Sequence, residues 1–326
     1  MKKALVLSCV AAMAFSMTAF AGEIEVDTSK DYADINIGVS FGQNEHPYFV
    51  AMEKGILAAL ENYGLSESNY NLLVADSSLE TQVSQIENLI TMGCDAILLN
   101  PYDSAGVVNA VNEAVSADIP VITMDIDCEG SAAFIASDNY EIGSMLASYI
   151  GDALEGKGAI AIIDGISVTS LQDRTNGFND TMAEKYPDIE IVAEEYTAQE
   201  RDEALASAET ILQAHPDIAA FVGVNENSGM AIKAAVAAAG LSDSILVTTV
   251  DATQENLLAI KNGEVAVGVA QNPYLMGWQA VELAMNAYAG QEIATDELYT
   301  TEIDYMNTDN VQEFIDREEG YGIEIE

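Results

Sequence analysis

The stretch Asp118-Ile-Pro-Val-Ile-Thr-Met-Asp-Ile-Asp-Cys128 decides the fold, because its apolar, β-branched run stops abruptly at Asp125. Such a run is typical of a buried parallel strand. In an open α/β sheet, ligands lie just beyond the carboxyl ends of the strands. The pattern therefore predicts that Asp125 faces a binding crevice, although an aspartate in this position can also simply cap a turn.

The sequence on either side of this stretch alternates between short apolar runs and helix-period segments, which indicates βαβ units. The predicted strands of the first half are 35–40, 71–75, 96–99, 120–124 and 134–137. The predicted helices between and after them are about 47–63, 78–92, 104–117 and 140–155. The first half therefore reads as one doubly wound domain.

The same alternation continues through the second half of the chain. Its predicted strands are 159–163, 189–193, 219–223, 245–250 and 265–270, and its predicted helices are about 172–186, 200–214, 229–239 and 253–261. About ten strands are too many for one ordinary sheet. We therefore predict an α/β protein with two doubly wound parallel-sheet domains, a short multi-strand hinge and a cleft between them. The expected domains are 24–137 plus 272–302 and 138–271 plus 303–326.

Residues 1–21 have the layout of a cleaved secretory signal peptide. Lys2 and Lys3 precede an apolar segment, and Ala19-Phe20-Ala21 precedes Gly22. The apolar segment is shorter than the roughly 20 residues that a spanning helix needs. Cleavage before Cys9 would leave too few apolar residues for a lipoprotein signal. We expect a secreted protein of the periplasm or the extracytoplasmic cell surface.

The mature chain is strongly acidic. The full chain has a formal net charge of −43, and loss of the two lysines in residues 1–21 leaves −45. Such a surface repels nucleic acid and anionic lipid and favours solubility.

Two cysteines remain in the mature chain, Cys94 and Cys128. The predicted strands place them at opposite ends of the sheet, so we expect two free thiols.

Polar residues follow most of the predicted strands. They are Ser40, Asp76, Asn100, Asp125, Asn225, Asp251 and Gln271, with Arg174 at the start of a helix. Carboxylate and amide oxygens accept hydrogen bonds from hydroxyl groups, and arginine and amide N–H groups donate them. This array suits a small neutral sugar or polyol better than a hydrophobic ligand.

The segment His46-Pro47-Tyr48-Phe49 follows the first predicted strand. Proline is well placed in the first turn of a helix. Two aromatic rings directly after it are expected at the rim of the cleft, where rings stack on the apolar face of a sugar. The alternative is that Tyr48 and Phe49 are ordinary packing residues.

Several spaced segments resemble the periplasmic sugar-binding proteins of the ribose and galactose type, the receptors of ABC importers. The resemblance extends from Ile35 to about Ile303. Its signposts are His46 to Phe49, Ile119 to Asp125, Ile135 to Asn139, Arg174-Thr-Asn-Gly-Phe178, Phe221 to Asn225, Val250-Asp251 and Ala270-Gln271. The resemblance implies hinge closure on a sugar and delivery to a membrane ABC permease. It also implies sugar contacts by Asp125, Arg174, Asn225, Asp251 and Gln271, with stacking by Tyr48 and Phe49.

Three positions depart from the ribose-type pattern. Ile126 stands where those proteins have arginine, so one strong donor is missing. Gln199 occupies the place of an aromatic residue of the second domain, and His46 replaces an asparagine. We expect all three near the ligand, and the departures leave ribose, another pentose, a hexose, a furanose or a polyol open.

Other functional classes receive less support from the sequence. An enzyme would need a nucleophile with a base, a metal site or a phosphate loop, yet the chain has two histidines, His46 and His215, and none of these motifs. Asp125 and Asp127 suggest paired carboxylates, but Asp127 lies beyond the strand end. A transcriptional regulator would need an N-terminal helix-turn-helix. A sensor that presents its closed form to a chemoreceptor or a sensor kinase stays open. We expect a monomeric binding protein without a cofactor or metal.

Overall fold

The computed structural model describes residues 24–164, 168–197, 200–291, 293 and 298–325. The predicted signal peptide and Gln199 lie outside these residues. In chain order, the strands and α-helices are β1 (Ile37–Phe41), α1 (Pro47–Asn62), β2 (Tyr70–Val74), α2 (Leu79–Thr91), β3 (Ala96–Asn100), α3 (Val108–Ser116), β4 (Val121–Met124), β5 (Ala133–Ser137), α4 (Asn139–Ala153), β6 (Gly158–Asp164), α5 (Thr169–Lys185), β7 (Ile189–Tyr196), α6 (Arg201–Ala214), β8 (Ile218–Gly223), α7 (Glu226–Ala238), β9 (Leu246–Val250), α8 (Gln254–Lys261), β10 (Val267–Ala270), α9 (Pro273–Tyr288), β11 (Leu298–Thr301), β12 (Asp304–Met306) and α10 (Val311–Gly320).

The strands form two six-stranded sheets, one in each of two α/β domains. The order in the first sheet is β11-β5-β4-β3-β1-β2, and the order in the second is β12-β10-β9-β8-β6-β7. The first five strands of each domain therefore occupy equivalent places. Buried apolar side chains cover both faces of each sheet, which explains the continuous apolar runs in the sequence. The predicted fold class is confirmed.

The chain passes between the two sheets three times. It crosses after β5, after β10 and between β11 and β12. The last crossing explains why β12 pairs antiparallel with β10, whereas the other pairs among the described strands are parallel. Strand β10 ends at the crossing and β12 begins there, so the two strands must run in opposite directions.

The first helix of the second domain, α4, starts at Asn139, one residue before the predicted start at residue 140. Asp138 caps α4 by accepting a hydrogen bond from the backbone N–H of Glu141 at 2.9 Å. An aspartate in this position satisfies one of the free N–H groups at the helix start. The cap fixes the end of the first crossing between the sheets.

Two pairs of helices pack at very short range through glycines. A Cβ atom built on Gly143 of α4 would lie 1.9 Å from the backbone oxygen of Arg174 in α5. A Cβ built on Gly55 of α1 would lie 1.9 Å from the backbone oxygen of Tyr274 in α9. Only glycine permits backbones to approach this closely. These contacts fix α5 and α1, two of the helices that bring side chains to the cleft.

The structure adds elements that the hydrophobic pattern did not predict after residue 270. Helix α9 is buried on almost every side, so its sequence shows little 3.6-residue contrast. Strands β11 and β12 have only four and three residues and are ordered by pairing with β5 and β10. Helix α5 begins at Thr169 rather than at the predicted residue 172.

Cys94 and Cys128 are both buried and neither is in a disulfide bond. Burial raises the pKa of Cys94 to about 11 and that of Cys128 to about 12.

Within the described ranges, no helix has both the length and the apolar character needed to cross a membrane.

Candidate functional site

A cavity of about 710 Å³ lies at the carboxyl ends of the strands, between the two domains. Both domains supply its walls, as expected for open parallel sheets. Every candidate site residue that the structure describes contributes to its lining. The lining residues are Gly42, Gln43, His46, Tyr48, Phe49, Ser77, Asn100, Pro101, Tyr102, Asp125, Ile126, Val168, Ser170, Leu171, Arg174, Glu200, Arg201, Asn225, Glu226, Asn227, Asp251 and Gln271.

Two aspartates occupy equivalent positions in the two sheets. Asp125 follows β4 with φ +67°, and Asp251 follows β9 with φ +86°. The N–H of Asp125 donates to Ile135 O at 2.9 Å, and the N–H of Asp251 donates to Val269 O at 3.0 Å. A positive φ is costly for most residues and is tolerated best by Asp and Asn after Gly. The backbone therefore turns sharply at each aspartate and presents a carboxylate to the cavity from each domain.

Asp125 is held by the first domain through Tyr48. The hydroxyl group of Tyr48 donates to Asp125 Oδ1 at 2.9 Å. Burial raises the pKa of Asp125 to about 6, and the bond from Tyr48 and the charge of Arg174 oppose part of this rise. Burial and the neighbouring Asp125 also raise the pKa of Tyr48 well above its usual value, so Tyr48 remains a neutral donor.

Tyr48 lies deeper than the rim position that the sequence predicted. Only 6% of its surface is exposed, and it packs in the core of the first domain. Phe49 is half-buried and meets the Tyr48 ring edge-on, with 5.3 Å between ring centroids. Phe49 is therefore the more accessible of the two rings, and Tyr48 orients a carboxylate.

Asp251 is held by Gln271, which follows the last parallel strand of the second sheet. Gln271 Nε2 donates to Asp251 Oδ1 at 2.6 Å, and both side chains are buried. Burial raises the pKa of Asp251, while the charges of Arg174 and His46 oppose the rise. A buried carboxylate that keeps free acceptor capacity is well suited to bind hydroxyl groups.

Arg174 lies in the second turn of α5 and is 4% exposed. Its Nη1 donates to Val224 O at 2.5 Å, and its Nη2 donates to Asn139 Oδ1 at 2.5 Å. Its Nε is buried and has no hydrogen-bond partner among the described residues. Burial lowers the pKa of Arg174, and the charge of Asp251 opposes this. An unsatisfied buried donor is costly, so Arg174 is prepared to bind an acceptor in the cavity.

Asn225 combines a cavity position with a structural task. Its side-chain oxygen accepts from the N–H of Ser228 at 2.9 Å and caps α7. The capping alternative considered for strand-end residues therefore applies to this oxygen. Ile126 is half-buried and gives the cavity an apolar wall beside Asp125.

The structure separates some strand-end residues from the site. Ser40 is fully buried and donates to Gln85 Oε1 at 3.1 Å, and Asp76 is exposed outside the cavity lining. Asp127 accepts hydrogen bonds from the Thr123 and Ser131 hydroxyl groups at 2.9 and 3.0 Å. Asp127 therefore stabilises the turn after β4 and is not paired with Asp125 at the cavity.

Glu226 is a cavity residue that the strand-end pattern did not reveal. It is 4% exposed, and its Oε2 lies 3.1 Å from His46 Nε2 in the other domain. The sequence signal that could have revealed Glu226 is its position directly after Asn225, at the start of α7.

In the part of the chain that the structure describes, no group of three or more His, Cys, Asp or Glu is arranged to hold a metal ion.

The chemistry of this cavity is that of binding by hydrogen bonds. Carboxylates from both domains accept, the guanidinium of Arg174 donates, and Phe49 and Ile126 supply apolar surface. Such a combination fits a compact ligand with many hydroxyl groups and one apolar face.

The family described as "periplasmic binding protein domain" matches residues 37–292. The ribose import binding protein of Bacillus subtilis is 31% identical over 266 residues, which are 80% of this chain and 84% of that protein.

Solved structures give the same result for the fold. An ABC transporter periplasmic solute binding protein from Actinobacillus succinogenes with bound D-allose has a TM-score of 0.78 and 27% identity, and the match covers 86% of this chain and 99% of that one. An ABC transporter solute binding protein from Burkholderia graminis in complex with D-arabinose has a TM-score of 0.79 and 27% identity, with 86% and 98% covered. The chain therefore belongs to the periplasmic binding protein family: it is similar in sequence to a ribose import binding protein and in fold to sugar-bound solute binding proteins.

Proposed function

We propose that this protein is the extracytoplasmic receptor of an ABC importer, which binds a monosaccharide or polyol and delivers it to a membrane permease. The observation that carries the proposal is the cavity itself, where hydrogen-bonding side chains of two domains converge on one space of about 710 Å³. Its carboxylates can accept hydrogen bonds from hydroxyl groups, and the guanidinium of Arg174 can donate to them. The predicted signal peptide supports a location outside the cytoplasm.

The proposed mechanism is closure of the two domains on the ligand. Tyr48, Phe49 and Asp125 belong to the first domain, and Arg174 and Asp251 belong to the second. A ligand that touches both sets stabilises the closed state, because those contacts exist together only there. We assign residues 24–137 plus 272–302 to the first moving unit and residues 138–271 plus 303–326 to the second.

The proposed ligand follows from the lining and from the relatives. Ribose, D-allose and D-arabinose appear in the names or titles of the similar proteins. Asp125 and Asp251 supply a hydroxyl anchor in each domain. Ile126 cannot bind a hydroxyl group, so the ligand presents carbon rather than oxygen to that wall.

A thermal-shift screen of the mature protein against pentoses, hexoses and polyols tests the proposal. A ligand that binds only the folded state raises the melting temperature. We expect at least one of these compounds to do so, and a set of pentoses, hexoses and polyols without any stabilising member would contradict the proposal.

Asp251→Ala tests the site directly. The variant lacks a buried carboxylate that accepts a hydrogen bond from a sugar hydroxyl group. Its affinity for the sugar selected by the screen should fall at least about tenfold, or roughly 1.4 kcal/mol, in titration calorimetry. Asp76→Ala is the matched control, because Asp76 also follows a strand with a positive φ of 49° but lies outside the cavity lining. Equal affinities of the two variants would remove Asp251 from the binding site.

A further inference from the structure

Buried charged groups without a hydrogen-bond partner occur together in the ligand cavity. Six buried side-chain atoms of the described residues lack a partner, and two of them belong to charged groups, Arg174 Nε and Glu226 Oε2. Arg174 and Glu226 are each 4% exposed, and both line the cavity, whereas the other four atoms belong to residues outside its lining. An unpaired buried charge is costly. A ligand that supplies an acceptor to Arg174 and a donor to Glu226 removes both costs.

Glu226 lies at the end of the ligand cavity that meets a second cavity. It is one of four residues that also line this neighbouring space of about 570 Å³, whereas Asp125, Asp251 and Arg174 do not line it. A sugar ring held by Asp125, Asp251 and Arg174 therefore meets Glu226 through a substituent that points toward the neighbouring cavity.

His46 approaches Glu226 from the first domain without satisfying its charge. His46 Nε2 lies 3.1 Å from Glu226 Oε2, but Oε2 forms no hydrogen bond with it or with any other described residue. His46 Nδ1 accepts a hydrogen bond from the backbone N–H of Tyr48 at 3.2 Å. A neutral ring whose Nδ1 accepts carries its hydrogen on Nε2. A donor and an acceptor therefore lie side by side, and both are available to a third group.

A hydroxyl group is the ligand group that suits both atoms. It can accept from the Nε2–H of His46 and donate to Glu226 Oε2 at the same time. An ammonium group only donates, so it would leave the N–H of His46 facing a positive charge. Since His46 and Glu226 belong to different domains, closure of the domains encloses a hydroxyl group that is already bound to Glu226.

We propose that Glu226 is a further specificity-determining residue, which selects hexoses over pentoses, or hexitols over pentitols, through a hydroxyl group shared with His46. A pentopyranose lacks the exocyclic hydroxymethyl group of the corresponding hexopyranose, so it leaves Glu226 without a donor. The inference rests on the proposed function and names the ligand class within it.

Titration calorimetry with matched pairs of ligands tests the inference. The pairs are D-allose and D-ribose, D-glucose and D-xylose, D-galactose and L-arabinose, and D-glucitol and xylitol. The members of each sugar pair differ, as pyranoses, only by the hydroxymethyl group, and the polyols differ by one hydroxylated carbon. In each pair that the wild type binds, we expect the larger member to bind about tenfold or more tightly than the smaller one.

Glu226→Ala should remove this preference. The affinity for the larger member should fall about tenfold, and the affinity for the smaller member should stay within about threefold of the wild type or rise, because an unpaired charge is gone. A purely structural role of Glu226 would instead weaken both members equally. If Glu226→Ala does not fold, Glu226→Gln carries the test, since it keeps the shape of the side chain and weakens the acceptor.

Glu264→Ala is the control for these variants. Glu264 lines the neighbouring cavity and not the ligand cavity, and it pairs with Lys233 at 3.3 Å. This variant should keep the wild-type preference.

Three results would overturn the inference and leave the proposed function intact. They are a wild type that binds a pair without preferring its larger member, an equal loss for both members in the Glu226 variants, and a wild type that is stabilised in the thermal-shift screen but binds none of these pairs. A thermal-shift screen without any stabilising compound contradicts the proposed function and this inference together.

Discussion

Single side chains at this cleft are set by their protein partners before any ligand arrives. Tyr48 fixes Asp125, and Gln271 fixes Asp251. Each aspartate also takes a positive φ that the backbone bond to the next strand holds in place. Side chains that are already oriented lose less conformational entropy when a ligand binds. It also leaves charge in a buried place, which lowers the stability of the empty protein.

Asp125→Asn tests this trade-off at the residue scale. The pKa of Asp125 is raised by burial to about 6, so the folded state binds the proton more tightly than the unfolded state. Ionisation therefore lowers stability as the pH rises from about 4 to above 6. We expect Asp125→Asn to stabilise the ligand-free protein by roughly 1–2 kcal/mol at pH 7.5 and by less at pH 4.5, measured by urea unfolding.

Asp76→Asn is the comparison for this experiment, because Asp76 is an exposed strand-end aspartate. It should change stability by no more than about 0.5 kcal/mol at either pH. If Asp125→Asn is less stable than the wild type at pH 7.5, the hydrogen bond from Tyr48 to the carboxylate stabilises the protein by more than burial of the charge destabilises it.

At the scale of helices, the two domains repeat one packing device. In the first domain, Gly55 of α1 lies against the backbone of Tyr274 in α9. In the second, Gly177 of α5 lies against the backbone of Tyr140 in α4, where a Cβ would approach its oxygen to 2.0 Å. Helices α1 and α5 follow the equivalent strands β1 and β6. The close helix pairs thus place Tyr48 on one side of the cleft and Arg174 on the other.

Gly143→Ala tests whether this packing positions Arg174. Alanine normally stabilises a helix relative to glycine, but here its Cβ would lie 1.9 Å from the backbone oxygen of Arg174. We expect a loss of about 1–3 kcal/mol in the free energy of unfolding. We also expect weaker binding of the sugar selected by the screen, because α5 must move.

The matched control is Gly320→Ala. Gly320 is an exposed glycine at the end of α10, and nothing lies within 4 Å of a Cβ built there. It should leave both stability and affinity nearly unchanged. If Gly143→Ala behaves like Gly320→Ala, the close approach of α4 and α5 is not needed for the site.

At the scale of the whole molecule, the C-terminal segment of the second domain is attached to the first. The ring of Tyr321 stacks on that of Tyr274, with 3.9 Å between centroids and 5° between planes. Lys54 of α1 donates to the backbone oxygen of Gly322. Arg317 Nη2 donates to Gln271 O at 2.9 Å, close to one of the crossings between the sheets. These contacts lie on α10 and its C-terminal end and couple the two domains in addition to the chain crossings.

Tyr321→Ala should weaken this coupling. Loss of the stacked pair should reduce the free energy of unfolding by about 1–2 kcal/mol and broaden the calorimetric transition, because the domains then unfold less cooperatively. Tyr196→Ala is the control, since Tyr196 is 63% exposed on β7. An equally sharp transition in both variants would mean that the chain crossings alone couple the domains.

How much the sequence could predict differs between the fold and the site. Apolar runs ending in polar residues predicted ten of the twelve strands that the structure describes and the positions of Asp125 and Asp251, because a parallel strand buried on both faces has a continuous run of apolar residues. The same reasoning missed α9, whose burial on nearly all sides removes the helical contrast. It also placed Tyr48 at the rim, because depth depends on what packs over a helix start.

The sequence by itself determined that the chain forms two doubly wound domains with polar strand ends, since alternation and strand termini are local properties of the polypeptide. Only the tertiary structure decided which of these ends share a cavity. It excluded Ser40 and Asp76 from the lining and brought Glu226 to His46. The raised pKa of Asp125 likewise depends on burial by residues distant in the sequence. Contacts across a cleft depend on how two sheets are set against each other, and no local pattern records that arrangement.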